Sequence, residues 1–167
     1  MTNIEIKARA ADWDAQQARA RALADREEKL RQEDTFFECS RGRLKLRDLG
    51  QDAQSYMIFY RRPDTAGPKQ SSFEMSSVAD AAGMRRLLAQ ALGQGKVVRK
   101  ERTLFLCGQT RIHFDEVESM GRFIEIEVCL RPDQSPEQGR AIAEGFIKEL
   151  GIRRQDLLEG AYADLLP

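Results

Sequence analysis

The sequence predicts an α+β fold in which about eight strands form an antiparallel sheet with helices packed outside it. Most of the predicted strands follow one another directly, without the helical crossovers that parallel strands require. Several of them alternate apolar and charged residues, so each strand has one apolar and one polar face. The chain has 167 residues, which is enough to bury a core, and we expect one domain over residues 1–167.

One strand and one helix open the chain, and short strands follow. The opening strand, residues 3–10, alternates Ile4 and Ile6 with polar residues. A helix is predicted from about Asp12, a suitable N-cap, to Arg31, because Ala, Arg, Gln and Glu dominate this segment. Further strands are predicted over residues 34–39, 43–48, 55–62 and 71–76, with a loop over 63–69.

The second half combines two helices with a hairpin and a final strand. Ser77 is predicted to cap a helix that ends at Leu92, before Gly93. The remaining predicted elements are a hairpin of residues 97–106 and 110–117 across Gly108 and Gln109, a strand over 123–130, a helix from Ser135 and Pro136 to Leu150, and a short helical tail from about Arg154.

The overall charge argues against several functions. Lys plus Arg and Asp plus Glu each number 27, and this balance argues against non-specific nucleic-acid binding through a globally basic surface. The sequence shows no apolar stretch of about 18 residues and no signal peptide, so we expect a cytoplasmic protein without a membrane partner. The oligomeric state stays open, a homodimer included.

The cysteines and the histidine suggest no chemistry by themselves. Cys39, Cys107 and Cys129 are far apart and odd in number, so we expect reduced thiols in or near the core. His113 is the only histidine, and we expect it to have a structural or ligand-adjacent role rather than to act as a general base.

Charges collect on the polar faces of several strands. One charged face is ordinary in a sheet with one solvated side, and a protein-binding sheet would show the same alternation. Here, however, like charges share a face at neighbouring positions, where they repel unless an opposite charge neutralises them. Like charges are neighbours at Lys7 and Arg9, at Arg43, Lys45 and Arg47, at Lys100 and Arg102, and at Glu125 and Glu127. Glu5 shares the face of Lys7 and Arg9, and Arg111, His113 and Asp115 form a further charged face.

A metal–polyphosphate complex is one ligand that would satisfy these charges, because the cations need an anion and the carboxylates need a cation. Carboxylate oxygens suit Mg²⁺ or Mn²⁺ rather than zinc. Closing the sheet would turn the polar faces toward a shared lumen and leave the apolar faces to pack outward against the helices.

Five segments carry a family resemblance. They are Asn3-Ile4-Glu5-Ile6-Lys7, Leu44-Lys45-Leu46-Arg47, the Arg-Lys-Glu-Arg run at 99–102, Asp115 through Gly121 to Glu125-Ile126-Glu127, and the closing Gly160-Ala161-Tyr162 with Leu165-Leu166. In this order they resemble the CYTH superfamily, which includes class IV adenylyl cyclases, thiamine triphosphatases and inorganic tripolyphosphatases. The resemblance implies the triphosphate tunnel fold, a closed eight-stranded antiparallel β-tunnel around a charged channel.

The resemblance also implies roles for individual residues. The implied phosphate-binding residues are Lys7, Lys45, Arg47, Lys100 and Arg102, with Arg61 and Arg111 as weaker candidates. The implied ligands of Mg²⁺ or Mn²⁺ are Glu5, Glu125 and Glu127. Asp115 is a candidate for a second metal contact or for positioning the nucleophile, and Lys7 is the other catalytic candidate. Glu74 falls at a further acidic position of the family.

Two positions depart from the family pattern. Asn3 stands where the E-x-E-x-K signature has its first glutamate, and an amide oxygen ligates a metal but supplies no charge. One metal position is therefore expected to be weakened. Arg61 replaces a lysine, which exchanges a point charge for a planar fork of donors.

Three functions remain open. Hydrolysis of inorganic tripolyphosphate, or of an organic triphosphate such as thiamine triphosphate, is favoured because it asks least of the site. A class IV adenylyl cyclase, which converts ATP to cyclic AMP and pyrophosphate, also needs an adenine pocket, and the sequence shows no base-reading residues. The third function is non-catalytic binding of polyphosphate or a phosphorylated metabolite, which the loss of charge at Asn3 keeps open.

Overall fold

The structure, a computed structural model, describes residues 2–51 and 53–165 and centres on one closed antiparallel barrel. Its strands are β1 (Thr2–Arg9), β2 (Arg26–Phe37), β3 (Arg43–Asp48), β4 (Ser55–Arg61), β5 (Lys69–Val78), β6 (Gln94–Cys107), β7 (Thr110–Val117) and β8 (Gly121–Cys129). Around the ring they follow the order β1-β5-β4-β3-β2-β6-β7-β8, and β1 closes it by pairing with β5 and β8.

Helices lie outside this barrel. They are α1 (Trp13–Leu23), α2 (Ala81–Leu92), α3 (Pro136–Glu149) and α4 (Tyr162–Leu165), with a short 3₁₀ turn at Arg154–Asp156. The predicted fold class, a closed eight-stranded antiparallel sheet with external helices, is confirmed. Among the described helices, none is both long and apolar enough to cross a membrane.

The apolar faces of β1 and β8 point away from the lumen and form the main core with α3. Ile4 and Ile6 of β1 and Ile126 of β8 are at most 1% exposed, and Ile147 of α3 belongs to the same cluster. Burying each such side chain contributes about 1.5–3 kcal/mol to folding. Because side chains alternate along a strand, the same packing directs the charged residues of β1 and β8 into the lumen.

Helix α3 lies close against β1. A Cβ atom on Gly139 would lie 2.7 Å from Cγ1 of Ile4, so a larger residue would push the helix outward. The helix begins with a capping box, in which the Gln138 amide donates to the Ser135 hydroxyl at 3.3 Å and the Ser135 amide donates to the Gln138 side chain at 2.8 Å. The predicted helix start at Ser135 and Pro136 is therefore confirmed.

The segment predicted as the second half of the first helix is a strand instead. Helix α1 ends at Leu23, and β2 begins at Arg26 rather than at residue 34. Strand β2 pairs with β6 from Arg26, opposite Leu106, to beyond residue 34. This long ladder outweighs the helix propensity of a Glu-, Lys- and Arg-rich sequence, since intrinsic propensity is weak compared with tertiary pairing.

Strand β5 continues further than predicted, and α2 begins later. Ser77 is not a helix cap, because it lies in β5 opposite Tyr56. The N-cap is Asp80, whose Oδ1 accepts a 2.8 Å hydrogen bond from the Gly83 amide. The predicted helix end is confirmed, since Gly93 has a φ of 84°, a conformation that favours glycine.

The C-terminal segment covers one end of the barrel. Tyr162 is 5% exposed, and its ring centroid lies 5.1 Å from that of Phe123 at the start of β8. Val98 and Val117 complete this apolar cluster. The chain before α4 is tied to β1, because the Leu158 amide donates a 2.8 Å hydrogen bond to the Lys7 carbonyl. Leu166 of the predicted closing motif lies outside the described residues.

Candidate active site

The lumen of the barrel is a charged channel to which all eight strands contribute side chains. Six basic residues and four acidic residues of the described chain line it: Lys7, Lys45, Arg47, Arg62, Lys100 and Arg111, and Glu5, Asp34, Glu125 and Glu127. Most of these side chains are largely buried, and a buried charge is costly unless it is paired and hydrogen-bonded. Ion pairs between these acidic and basic side chains therefore determine how the side chains are arranged in the channel.

Asp115 is the most enclosed carboxylate of the cluster. Arg102 donates to both of its oxygens, at 2.6 and 2.7 Å, Lys100 donates at 3.2 Å, and the Tyr162 hydroxyl donates at 2.9 Å. Burial alone would raise the pKa of Asp115, but Arg102 and Lys100 hold it well below its usual range. A carboxylate has about four acceptor sites, and protein donors already occupy these.

This arrangement corrects the predicted placement of two residues. Asp115 is 0% exposed and its oxygens are committed to the protein, so it does not present a free ligand to a metal or a nucleophile in the channel. Arg102 shares the inner face of β6 with Lys100 and is 5% exposed, and it joins Asp115 to Glu125 through a 3.0 Å hydrogen bond. Both residues were predicted to contact the ligand, but their polar atoms are committed to protein partners, and neither lines the channel.

Asp34 organises the cations on the other side of the channel, and the sequence interpretation missed it. Lys45 donates to it at 2.8 Å, and Arg47 donates to both of its oxygens at 3.0 Å. Burial would raise the pKa of Asp34, but Arg47 and Lys45 hold it well below its usual range. Because β2 was predicted to begin at residue 34, the strand pairing that sets Asp34 opposite Arg47 was not foreseen.

The two carboxylates of β8, Glu125 and Glu127, lie close to basic side chains and to His113 of β7. Glu125 Oε1 lies 3.5 Å from Lys7 Nζ, and its Oε2 accepts the bond from Arg102. His113 Nδ1 lies 3.7 Å from Glu125 Oε2 and 4.0 Å from Glu127 Oε1, beyond hydrogen-bond distance in both cases. Burial and then Arg102 lower the pKa of His113, which favours the neutral imidazole.

Arg62, rather than Arg61, enters the channel. Its guanidinium donates to Glu5 Oε2 at 2.5 Å and to the Gly160 carbonyl at 2.7 Å. Arg61 is exposed and lies 5.4 Å from the Phe59 ring on the outside of the barrel. The prediction for Arg61 is therefore wrong in placement, and the parity of β4 explains why, since even-numbered residues such as Tyr60 point inward.

Glu74 also lies outside the channel. It is exposed on β5 and pairs in register with Phe59, whose side chain is on the outer face. Its neighbours Phe73 and Met75, which have the opposite parity, line the channel instead. Glu74 is therefore not available to a ligand in the lumen.

The wall formed by β4, β5 and the end of β2 is apolar. It contributes Phe36, Ile58, Tyr60, Phe73 and Met75 to the channel lining. Lys45 lies where this wall meets the charged one, with its Nζ 5.6 Å from the centroid of the Phe36 ring and 5.5 Å from that of Tyr60. The channel thus combines a cationic half with a half suited to an aromatic or aliphatic group.

A divalent cation fits one part of the channel. Ligand atoms of His113, Glu125 and Glu127 lie within 4.8 Å of one another, and Glu5 pairs with Glu127 in register. Asn3 lies on the same face of β1 as Glu5, and its Oδ1 is buried without a hydrogen-bond partner in the described part of the chain. Carboxylate and amide oxygens are donors that Mg²⁺ or Mn²⁺ accepts, so the oxygen ligands present here fit the predicted metal.

The fold and the channel define a class of protein: a closed antiparallel barrel that carries paired charges in its lumen and apolar residues on its outer faces. The chain belongs to the CYTH domain family, whose sequence profile matches residues 1–162. The predicted resemblance is thereby confirmed. Comparison with functionally curated proteins gives no significant match.

Solved structures share this fold at low sequence identity. The PH1012 protein of Pyrococcus horikoshii is 24% identical with a TM-score of 0.88, and the match covers 99% of each chain. A putative adenylate cyclase from Vibrio parahaemolyticus is 15% identical with a TM-score of 0.77, covering 99% of this chain and 97% of that one. A putative adenylyl cyclase from Hippeastrum, described as having a dominant triphosphatase activity, is 20% identical with a TM-score of 0.64, covering 95% and 91%.

Proposed function

We propose that this protein is a divalent-metal-dependent hydrolase that binds a triphosphate in the barrel lumen. Membership of the CYTH family supports an enzymatic activity, and the Hippeastrum neighbour is described as a triphosphatase. The observation that carries the proposal is the excess of basic over acidic side chains in the channel, six against four among the described lining residues. A polyanion with a bound cation would neutralise both sets of charges.

The phosphate-binding cations are held in place before a ligand arrives. Asp34 fixes Lys45 and Arg47, so their ordering is not left to the moment of binding. In the same way, Glu5 fixes Arg62. Positioning and charge stabilisation supply most of the catalysis in phosphoryl transfer, and this preorganised set is suited to both.

Asp115 and Arg102 act as positioning residues in this proposal. Asp115 holds Lys100 toward the channel, and Arg102 orients Glu125. Neither residue lies in the channel lining. Their removal is expected to disturb the cations and carboxylates that do touch the substrate.

In the proposed reaction, a water molecule attacks the terminal phosphorus and the bond from phosphorus to the diphosphate oxygen breaks. Glu5, Glu125 and Glu127 would hold Mg²⁺ or Mn²⁺, which when bound neutralises phosphate oxygens. Lys7, whose Nζ lies 3.9 Å from the centroid of the Tyr162 ring, would donate hydrogen bonds to the phosphate.

The apolar wall supports a second candidate, the adenylyl cyclase. Cyclisation needs a pocket for the adenine ring, and Phe36, Tyr60 and Phe73 offer an aromatic surface beside the phosphate-binding cations. The ribose 3′-hydroxyl would then attack the α-phosphorus and release pyrophosphate. The same wall would also accept the organic part of a hydrolysed triphosphate, so it does not by itself choose between the two reactions.

Product analysis tests the proposal. The purified protein with Mg²⁺ or Mn²⁺ is given tripolyphosphate, thiamine triphosphate and ATP in separate reactions. We expect release of orthophosphate from at least one substrate. Cyclic AMP with pyrophosphate would support the cyclase instead, and tight binding without turnover under either metal would contradict both enzymes in favour of a binding module.

A further inference from the structure

A buried imidazole nitrogen faces two carboxylates without a hydrogen bond to either. His113 lies in β7, in register with Glu125 of β8, and is 3% exposed. Its Nδ1 atom has no hydrogen-bond partner among the residues that the structure describes. A buried polar atom normally finds a partner, so an exception of this kind calls for an explanation. The two carboxylates nearest to Nδ1, those of Glu125 and Glu127, are also exposed to the channel.

The spacing of these three groups suits a cation between them. The ligand atoms lie within 4.8 Å of one another, with Nδ1 at 3.7 Å from Glu125 Oε2 and 4.0 Å from Glu127 Oε1. A metal bound at about 2.1 Å to each atom would bring adjacent ligand atoms to about 3 Å from one another. Small side-chain shifts would therefore close the site, without movement of the strands.

The other contacts of the carboxylates leave this position open. Glu125 Oε1 faces Lys7, and Glu127 Oε2 lies 3.8 Å from Arg111, so each carboxylate turns a different oxygen toward His113. Arg102 also donates to Glu125 Oε2, which still has a second acceptor site. A purely structural histidine would instead be expected to hydrogen-bond through Nδ1.

We propose that His113 Nδ1, Glu125 and Glu127 form a mixed nitrogen–oxygen site that binds Mn²⁺ in preference to Mg²⁺. Mg²⁺ takes oxygen ligands almost exclusively, whereas imidazole nitrogen suits transition metals. This inference rests on the proposed function, which assigns a divalent metal to Glu125 and Glu127. It adds His113 as a further ligand and a preference for Mn²⁺ over Mg²⁺. From the sequence, His113 was expected to have a structural or ligand-adjacent role rather than to act as a general base.

Electron paramagnetic resonance of bound Mn²⁺ tests this without any turnover. Because His113 is the only histidine in the chain, an imidazole nitrogen coupled to Mn²⁺ is assigned without ambiguity in protein prepared without a histidine tag. We expect nitrogen coupling in the wild-type spectrum by electron spin echo envelope modulation. A spectrum with oxygen ligands alone, or no Mn²⁺ binding at millimolar concentration, would overturn the proposal.

His113→Asn is the matched variant, because its amide replaces the nitrogen donor by an oxygen donor of similar reach. We expect the nitrogen coupling to disappear and the Mn²⁺ affinity to fall about tenfold, while the Mg²⁺ affinity changes less than about threefold. Equal loss of both affinities would contradict the selectivity, and if the variant does not fold the wild-type spectrum still decides. Nitrogen coupling without any turnover would support the His113 site and contradict the proposed function. Turnover with Mn²⁺ but without nitrogen coupling would support the proposed function and contradict the His113 site.

Discussion

The Tyr162 hydroxyl donates a 2.9 Å hydrogen bond to Asp115 Oδ2 and so connects the last helix to the charged interior of the barrel. The Tyr162 ring also lies beneath two lumenal ammonium groups, with its centroid 3.9 Å from Lys7 Nζ and 4.7 Å from Lys100 Nζ. One residue thus closes an end of the channel and helps to place two phosphate-binding candidates.

Tyr162→Phe and Tyr162→Ala separate these two contributions. The phenylalanine variant keeps the ring and loses one donor to Asp115, so we expect the free energy of unfolding to fall by about 1–2 kcal/mol. The alanine variant also loses the ring beside Phe123, and we expect a fall of about 3–5 kcal/mol with weaker triphosphate binding. Urea denaturation and ligand titration measure both. Equal effects of the two substitutions would show that the ring contributes nothing beyond the hydroxyl.

Asp115→Asn tests whether Asp115 positions other residues or binds the metal. The substitution removes the charge that neutralises the buried Arg102 and Lys100, so we expect the free energy of unfolding to fall by about 3–5 kcal/mol. Mn²⁺ affinity, measured by titration below the unfolding transition, is expected to stay within about threefold. A stable variant that no longer binds Mn²⁺ would restore the metal-ligand role first predicted for this residue.

Arg61→Gln and Arg62→Gln form a matched pair of neighbouring residues. Arg62 is bonded to Glu5 in the channel, whereas Arg61 lies on the outer surface. We expect kcat/KM for the triphosphate substrate to fall about 100-fold in Arg62→Gln and to change less than about twofold in Arg61→Gln. The two variants are compared by steady-state kinetics at equal metal concentration. A larger loss in Arg61→Gln than in Arg62→Gln would instead support the phosphate-binding role that the family resemblance implied for Arg61.

Triphosphate binding is expected to take up protons near pH 8. Burial, and then Arg102, lower the pKa of Lys100 to about 7, so this lysine is mostly neutral at pH 8 in the free protein. A bound polyanion favours the charged form and raises the pKa, and affinity therefore falls as the pH rises above about 7. Calorimetry in buffers of different ionisation enthalpy measures the protons taken up.

Lys100→Arg is the control for this effect, since a guanidinium stays charged throughout the range. We expect the variant to take up fewer protons than the wild type at pH 8 under the same conditions. The ligand's own titration is common to both proteins and cancels in the difference. Identical proton uptake by the two proteins would contradict the assignment to Lys100.

The strand faces were predictable from the sequence, because a period of two is visible within one strand. Lys45 and Arg47 alternate with leucines, as Glu125 and Glu127 do with Ile124 and Ile126, and these four charged side chains lie in the channel. The bounds of β3, residues 43–48, were also predicted correctly. Local alternation thus predicted the charged strand faces and much of the channel lining, whereas the closure of the sheet was implied by the family resemblance.

Contacts between residues far apart in the sequence could not be predicted from alternation within single strands. Asp34 acquires its role only through the pairing of β2 with β3, and the pairing of β2 with β6 decides where β2 begins. Arg62 lies in the predicted strand of residues 55–62, but apolar residues occupy both faces of that strand, so its sequence did not show which arginine enters the channel. Tyr162 reaches Asp115 across 47 residues of sequence. The single domain stays a prediction, and the sequence predicted no oligomeric state.

The loss of a signature carboxylate at Asn3 has a measurable consequence for metal binding. Asn3 is 3% exposed and shares the inner face of β1 with Glu5, and its Oδ1 has no hydrogen-bond partner within residues 2–51 and 53–165. A glutamate there would add a ligand charge, but without a cation it would repel Glu5 and Glu127 in a poorly solvated wall. We therefore expect Asn3→Glu to lower the melting temperature of the metal-free protein and to increase the stabilisation by Mn²⁺, with an affinity gain of about three- to tenfold. Asn3→Gln matches the length without the charge and is expected to show neither change. If both variants respond equally to Mn²⁺ in a thermal shift titration, the charge at this position does not control the metal, and the weakened site inferred from Asn3 does not exist.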